Sequence, residues 1–519
     1  LKDIKIQSYN LNTFRKPDLP PALLITKYRY LGRTISKNNR KRVALLKVLF
    51  IEPPKDYWFV MGEYLPPPYG LLQLAGYLET RIPEAEIEVL DCQAMLLDWK
   101  GLEKRLDSFD PDIVATSGFA TCNVYVAART LETAKKLKPE VITVTGGQHF
   151  SATAQESLEE YPEIDVIVRG EGEETLVELA KAVGKKTDFS GIAGISFRSQ
   201  NGIRHNPPRP FIDNLDDLPF PGYHFVKDYA HRYHFTMMAG SKARYGMVEA
   251  SRGCPHNCTF CSQWKHWQGT CRHKSVKRVA DEIEFLYNNY GSRLLWLTDD
   301  NFGLGQRMEN LCDEMIKRSF SEEITCFMQA RCDDVIRNSN LLPKMSRAGI
   351  NWLLIGVESN SQSSLNSFRK GTKPEDAVET VKLLKQNGIF SQATCIIGEH
   401  KDTHESIEGL RNFVNTLDPD IAIFMILTPF PGTDLYEEAK QKGWIENRNW
   451  ADYDMVHAIM PTQSLSREQL QNELYNCYRN FFGSWSRRMQ GFFSKNKIKR
   501  RVYRYMARQS VLTQLKSLV

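Results

Sequence analysis

Two successive series of alternating strand and helix patterns constrain this chain more than any other feature. In the first, apolar strand patterns fall at 45–52, 86–90, 112–117, 141–145 and 166–169. Helical periodicity fills the gaps at 69–80, 102–109, 124–137, 151–160 and 173–183. Alternation at that spacing predicts an α/β, doubly wound, Rossmann-like parallel sheet. Ligands of such sheets sit beyond the carboxyl ends of the strands. The turns there are Thr116-Ser117-Gly118, Thr145-Gly146-Gly147-Gln148-His149 and Arg169-Gly170-Glu171-Gly172-Glu173.

The second series begins at Gly246. Strands are predicted at 246–250, 294–298, 325–330, 352–357, 391–397 and 421–427. Helices are predicted between them, at 275–290, 306–319, 338–348, 374–387, 403–416 and 433–442. Repeated βα units of this kind predict a partial (β/α)6 barrel, whose active site lies at the strand C-termini. The expected organisation is a basic extension (1–43), a Rossmann-like domain (44–190), a hairpin and Pro-rich linker (191–244), the barrel (245–444) and a helical, basic C-terminal region (445–519).

The loop after the first barrel strand reads Ser251-Arg252-Gly253-Cys254-Pro255-His256-Asn257-Cys258-Thr259-Phe260-Cys261, a C-x3-C-x2-C arrangement. Three thiolates this close in sequence can converge on one inorganic centre. A [4Fe–4S] cluster normally takes four cysteines, so three leave one iron open to a substrate or cofactor. The alternative is structural zinc, which takes four ligands in closed geometry. Cys271 or His266 could supply the fourth.

Composition is that of a globular chain, with 42% apolar and 25% charged residues among 519. No run of about 18 uncharged apolar residues occurs, so no membrane-spanning helix is predicted, and the N-terminal residues do not read as a secretory signal. Eleven cysteines, an odd number with three clustered, point to metal ligation in a reducing compartment. The expected location is cytoplasmic, with peripheral membrane contact a further expectation. The net charge of +6 is uneven: from Leu474 onward there is no Asp or Glu, while Lys and Arg are frequent. Aromatics interleave with these cations over 481–506, a pattern that fits either core packing and a solvated face, or a membrane surface or flat apolar substrate.

With its glycine before the first cysteine and its aromatic before the last, the loop resembles that of the radical S-adenosylmethionine (SAM) enzymes. The resemblance implies that Cys254, Cys258 and Cys261 hold a [4Fe–4S] cluster whose fourth iron is chelated by SAM. It also implies SAM-binding roles for Phe260, for Asp299 and Asp300 after the second barrel strand, Gln329 and Arg331 after the third, Glu358 and Ser359 after the fourth, and Gly398 after the fifth. A Rossmann-like domain before such a barrel resembles the cobalamin-binding class of that family. Ser117, Thr121, Gly146, Gly147, His149 and Glu171 would then line the cobalamin crevice. The Asp-x-His-x-x-Gly motif of many cobalamin proteins is missing at Pro53-Pro54-Lys55-Asp56-Tyr57-Trp58, which leaves the lower cobalt ligand open.

Three further segments are similar to the anaerobic magnesium-protoporphyrin monomethyl ester oxidative cyclase branch: Ser262-Gln263-Trp264-Lys265-His266-Trp267, Tyr453-Asp454-Met455-Val456 and Tyr478-Arg479-Asn480-Phe481-Phe482. The expected function is hydrogen abstraction from an unactivated carbon of an apolar small molecule, a tetrapyrrole or lipid. Cobalamin-assisted methyl transfer or oxidative cyclisation would follow, with electrons from a flavodoxin or ferredoxin. Nucleic acid is not an expected partner, because no added β-rich RNA-binding tail follows the barrel. The rival expectations are a radical SAM enzyme that has lost cobalamin, and a non-catalytic iron–sulfur or zinc protein.

Overall fold

The computed structural model describes residues 45–54, 64–118, 120–235, 243–318 and 320–516, with side chains through 509. The basic extension and the Lys55–Trp58 segment lie outside the described residues.

The first series forms a seven-stranded sheet. Its strands are β1 (Lys47–Glu52), β2 (Glu86–Asp91), β3 (Ile113–Thr116), β4 (Ile142–Gly146), β5 (Val166–Val168), β6 (Ile195–Ser199) and β7 (Gly202–His205). The spatial order is β2-β1-β3-β4-β5-β6-β7, parallel through β5, with β6 and β7 added antiparallel. The order reverses at β1, the position where doubly wound sheets open a crevice. Val48 and Phe50 face one core while Leu49 and Ile51 face another, the period-two alternation of a sheet covered on both sides.

The second series forms six parallel strands in sequential order: β8 (Arg244–Val248), β9 (Ser292–Leu297), β10 (Thr325–Ala330), β11 (Ile350–Glu358), β12 (Phe390–Ile397) and β13 (Ile421–Ile426). All eight residues of β12 are buried, as expected of a strand covered on both faces. Local chemistry sets the helix starts. Ser275 accepts from the Arg278 amide, and Thr403 with Ser406 and Ser466 with Gln469 form capping boxes.

The Pro-rich connector is packed rather than free. Tyr229 Oη donates to the Val89 carbonyl (3.0 Å), Tyr233 Oη to Asp91 Oδ2 (3.0 Å) and Tyr223 Oη to the Met247 carbonyl (3.2 Å). One hydrophobic core runs from the first sheet through this connector into the barrel. The helix Arg467–Gly483 lies along the last strand, where Tyr478 Oη donates to the Phe424 carbonyl (2.8 Å). Among the described residues no helix is long and apolar enough to cross a membrane.

Candidate active site

The cysteine loop hangs between fixed points. Ser251–Arg252 pairs antiparallel with Arg272–His273 and closes the loop at its base. Gly253 has φ +95°, and a Cβ there would collide with the Thr270 carbonyl, so only glycine fits before Cys254. Asp299 accepts from the Ala250 amide (3.3 Å) and the Ser251 hydroxyl. On the far side, the Thr259 amide donates to the Phe368 carbonyl (3.1 Å) and the Leu435 amide to the Thr259 carbonyl (3.0 Å).

All eleven cysteines are free thiols, and the three of the loop are half-buried. Burial pushes each of these thiols up, Cys261 to about 12. At Cys258 the charges of Lys370 and Arg331 oppose that rise. A thiolate in this position needs a cation to hold it, and iron supplies one. Among the described residues no three His, Cys, Asp or Glu side chains stand close enough to share one metal ion.

Several strand-end residues lie at the loop, with Asp300 and Arg331 acting on Cys254 and Arg331 and Glu358 on Cys258. Asp299 is fully buried and Asp300 half-buried. Burial raises Asp299 to about 6 and Asp300 to about 7, the latter helped by Asp299 and Glu249 and opposed by a hydrogen bond from Trp267. Gln329 is half-buried on β10. Arg331 binds Asp333 Oδ1 through Nε (2.9 Å) and the Lys370 carbonyl through Nη2 (2.7 Å). Glu358 sits at φ +59° beside a register shift in β11, a strained conformation for a non-glycine residue. Its Oε1 accepts from Lys370 Nζ at 2.6 Å, both side chains being buried. Ser359 Oγ accepts from the Ser361 amide (3.1 Å). The Gly398 amide donates to Asp402 Oδ2 (2.8 Å). Phe260 packs edge-on against Phe368 (5.3 Å) in an apolar cluster with Ile396 and Leu427.

A cavity of about 220 Å³ opens at the carboxyl ends of β3, β4 and β5. Ser117, Gly146, Gly147 and Glu171 line it from the sheet, and Arg252, His266 and Trp267 line it from the cysteine-loop side. A Cβ on Gly146 would meet the Val168 carbonyl at 2.8 Å, so glycine keeps this floor open. Glu171 is doubly engaged, 2.7 Å from Arg252 Nη1 and 3.0 Å from Arg272 Nη1. Thr121 and His149 do not line the cavity. His149 Nδ1 faces Thr121 Oγ1 (3.3 Å), and its ring packs on Phe150 and Trp450. Burial lowers His149 to about 4, so it is neutral at physiological pH.

Residues 61–180 match the B12 binding domain family, and residues 248–414 match the radical SAM superfamily. The chain is 31% identical over 446 residues to an uncharacterized methyltransferase of Pyrococcus horikoshii, covering 85% of this chain and 93% of that protein. The chain belongs to the B12-binding radical SAM family. Within it, the chain is 31% identical to the anaerobic magnesium-protoporphyrin IX monomethyl ester cyclase of Rubrivivax gelatinosus, over 84% of this chain and 77% of that one. These relatives make it a radical SAM enzyme of the methyltransferase and cyclase kind. The fold is that of the cobalamin-dependent SAM radical enzyme OxsB, solved with aqua-cobalamin and SAM bound (TM-score 0.68, 19% identity, 90% of this chain and 71% of that one).

Sequence reasoning assigned no role to several groups of this radical SAM site. Lys370 follows a short helix outside any strand-end motif. Arg252 stood unremarked within the cysteine motif, although a charged residue in an otherwise buried run signals a partner. Gln148 bridges the two halves, since its Nε2 donates to Gln263 Oε1 and its Oε1 accepts from Ser262 Oγ, both at 2.8 Å.

Proposed function

We propose that this enzyme holds a [4Fe–4S] cluster on Cys254, Cys258 and Cys261, SAM on the open iron, and cobalamin in the sheet crevice. When bound, these groups supply a 5′-deoxyadenosyl radical that takes hydrogen from an unactivated carbon, and a methyl or redox partner for that carbon. The supporting observation is a single cavity lined by Gly146 and Gly147 on one side and by His266 and Trp267, just past Cys261, on the other.

The chain's own groups do the positioning. Asp300, whose carboxyl burial and the neighbouring Asp299 raise, would receive the amino end of SAM. Glu358 and Ser359 would bind ribose hydroxyls or carboxylate, with Lys370 holding the Glu358 carboxylate in place. Phe260, Ile396 and Leu427 form an apolar cluster suited to the adenine flank. Ser117, Gly146 and Gly147 would let the corrin tail approach backbone. The substrate is an apolar molecule, a tetrapyrrole or lipid, as the likeness to a porphyrin ester cyclase supports. Electrons come from a flavodoxin or ferredoxin.

Anaerobic reconstitution with iron and sulfide should give about four irons per chain and an EPR signal that SAM perturbs. Corrin absorbance should follow expression with cobalamin. SAM and dithionite should release 5′-deoxyadenosine, and Cys258→Ala should abolish it. A protein that takes up zinc alone overturns the reading, and one that builds the cluster but binds no corrin overturns its cobalamin half.

A further inference from the structure

The last two helices carry an apolar stripe and a cationic stripe that the active site does not use. Helix Trp485–Phe492 turns Arg487 and Gly491 inward, Arg487 onto Asp418 (2.7 Å) and Phe481, and Gly491 against the Tyr503 ring. Residues four apart on a helix are offset by about 40°. Trp485, Met489 and the following Phe493 therefore form one stripe on the opposite side, exposed at 73%, 37% and 67%. Large apolar side chains exposed elsewhere are scattered, whereas these three are consecutive on one face. A monomer surface without a partner does not favour such a stripe.

The helix Lys497–Lys516 packs against it. Lys497, Arg501, Arg504 and Arg508 recur at three- and four-residue spacing, so they share one face, and all four are exposed. Arg504 links the two helices, with its guanidinium over the Phe492 ring (5.0 Å) and its Nε donating to the Phe492 carbonyl (3.3 Å). Arg488 and Lys495 are exposed beside the apolar stripe. Lys499 and Arg487 pair with Asp420 and Asp418, but none of the six exposed cations forms an ion pair among the described residues. No acidic residue follows Glu473 to dilute this charge.

We propose that this helical pair docks on an anionic membrane surface, with Trp485, Met489 and Phe493 inserted at the headgroup level and the cations of the last helix on lipid phosphates. Aromatic and thioether side chains bury into the acyl boundary, while flanking Lys and Arg draw the helix to negative lipid. A nucleic acid would satisfy the cations but would leave Met489 and the spread of the apolar stripe without purpose. The docking goes beyond the proposed reaction, because it does not depend on which carbon is attacked.

The test is cosedimentation of the full-length holoenzyme with vesicles of phosphatidylcholine alone or with added phosphatidylglycerol. Binding should require phosphatidylglycerol and fall at high salt. Lys497→Glu/Arg501→Glu/Arg508→Glu and Trp485→Ser/Phe493→Ser should each weaken it by about tenfold or more. These side chains are exposed, so the thermal melt and 5′-deoxyadenosine formation without vesicles should stay as in the parent. Absence of binding to phosphatidylglycerol vesicles overturns the proposal. So does binding that survives Trp485→Ser/Phe493→Ser, or a preference for single-stranded RNA over vesicles at equal ionic strength.

Discussion

Arg252 Nη1 lies 2.7 Å from Glu171 Oε1, tying the strand pair that carries the cysteine loop to the end of β5 in the other half of the molecule. Arg252 also reaches Glu173 (2.6 Å) and Glu249 (3.0 Å). One buried guanidinium thus meets three carboxylates. Burial alone would lower its pKa, yet the three acids hold it well above the usual arginine value.

Removing that cation leaves Glu171, Glu173 and Glu249 facing one another. Arg252→Met should cost about 3–5 kcal/mol, the usual penalty for breaking a buried pair from one side. Glu171→Gln should cost less, since Arg252 keeps two partners. Urea denaturation of the purified chain gives both values. An Arg252→Met loss under 1 kcal/mol would show that water reaches these acids.

Lys370 is the cation between Glu358 and Cys258. Lys370→Met should weaken SAM binding by about tenfold, because an unpaired buried carboxylate would turn from its position or take up a proton. Lys370→Arg should restore part of the affinity. The titration is read from the SAM-induced change in the cluster EPR signal.

Asp299 and Asp300 give the cofactor-free chain a pH dependence of defined sign. Both carboxyls are raised in the folded state, to about 6 and about 7, above an unfolded value of about 4. The folded chain therefore binds more protons between those values, and its stability falls as pH rises through 6 and 7. The fall should begin near pH 4 and level off above about pH 7. Asp300→Asn should flatten it, as thermal melts from pH 5 to 8 would reveal.

Gly146→Val should close the crevice floor. Its Cβ would press on the Val168 carbonyl at 2.8 Å, and its methyls would enter the cavity. The variant should retain iron but lose most corrin absorbance after expression with cobalamin. Equal corrin content in variant and parent would place the ligand elsewhere.

Strand positions were legible because apolar periodicity and turn residues are local. The predicted 325–330 coincides with β10, and the other barrel strands lie within two residues of their predicted ends. The predicted helix 338–348 instead divides into the 3-10 turn Ser339–Leu341 and the helix Leu342–Arg347, where Pro343 occupies the first turn. The predicted helix 151–160 breaks at Thr153, whose hydroxyl binds the His149 carbonyl (2.9 Å) and the Ser157 hydroxyl (2.8 Å). Of the C-terminal aromatics, Phe481 and Tyr503 are core while Trp485 and Phe493 are exposed. The cysteines and strand ends could be read from order alone. The Arg252–Glu171 and Gln148–Gln263 contacts could not. They depend on how two sheets meet, and no periodicity in a single segment encodes a partner 81 or 115 residues away.

Gln148, at the end of β4, grips Ser262 and Gln263 immediately beyond the last cysteine of the loop. Cys261 is thus one residue from a side-chain bond to the other half of the molecule, and a displacement of one sheet against the other would pull on the loop at its last thiol.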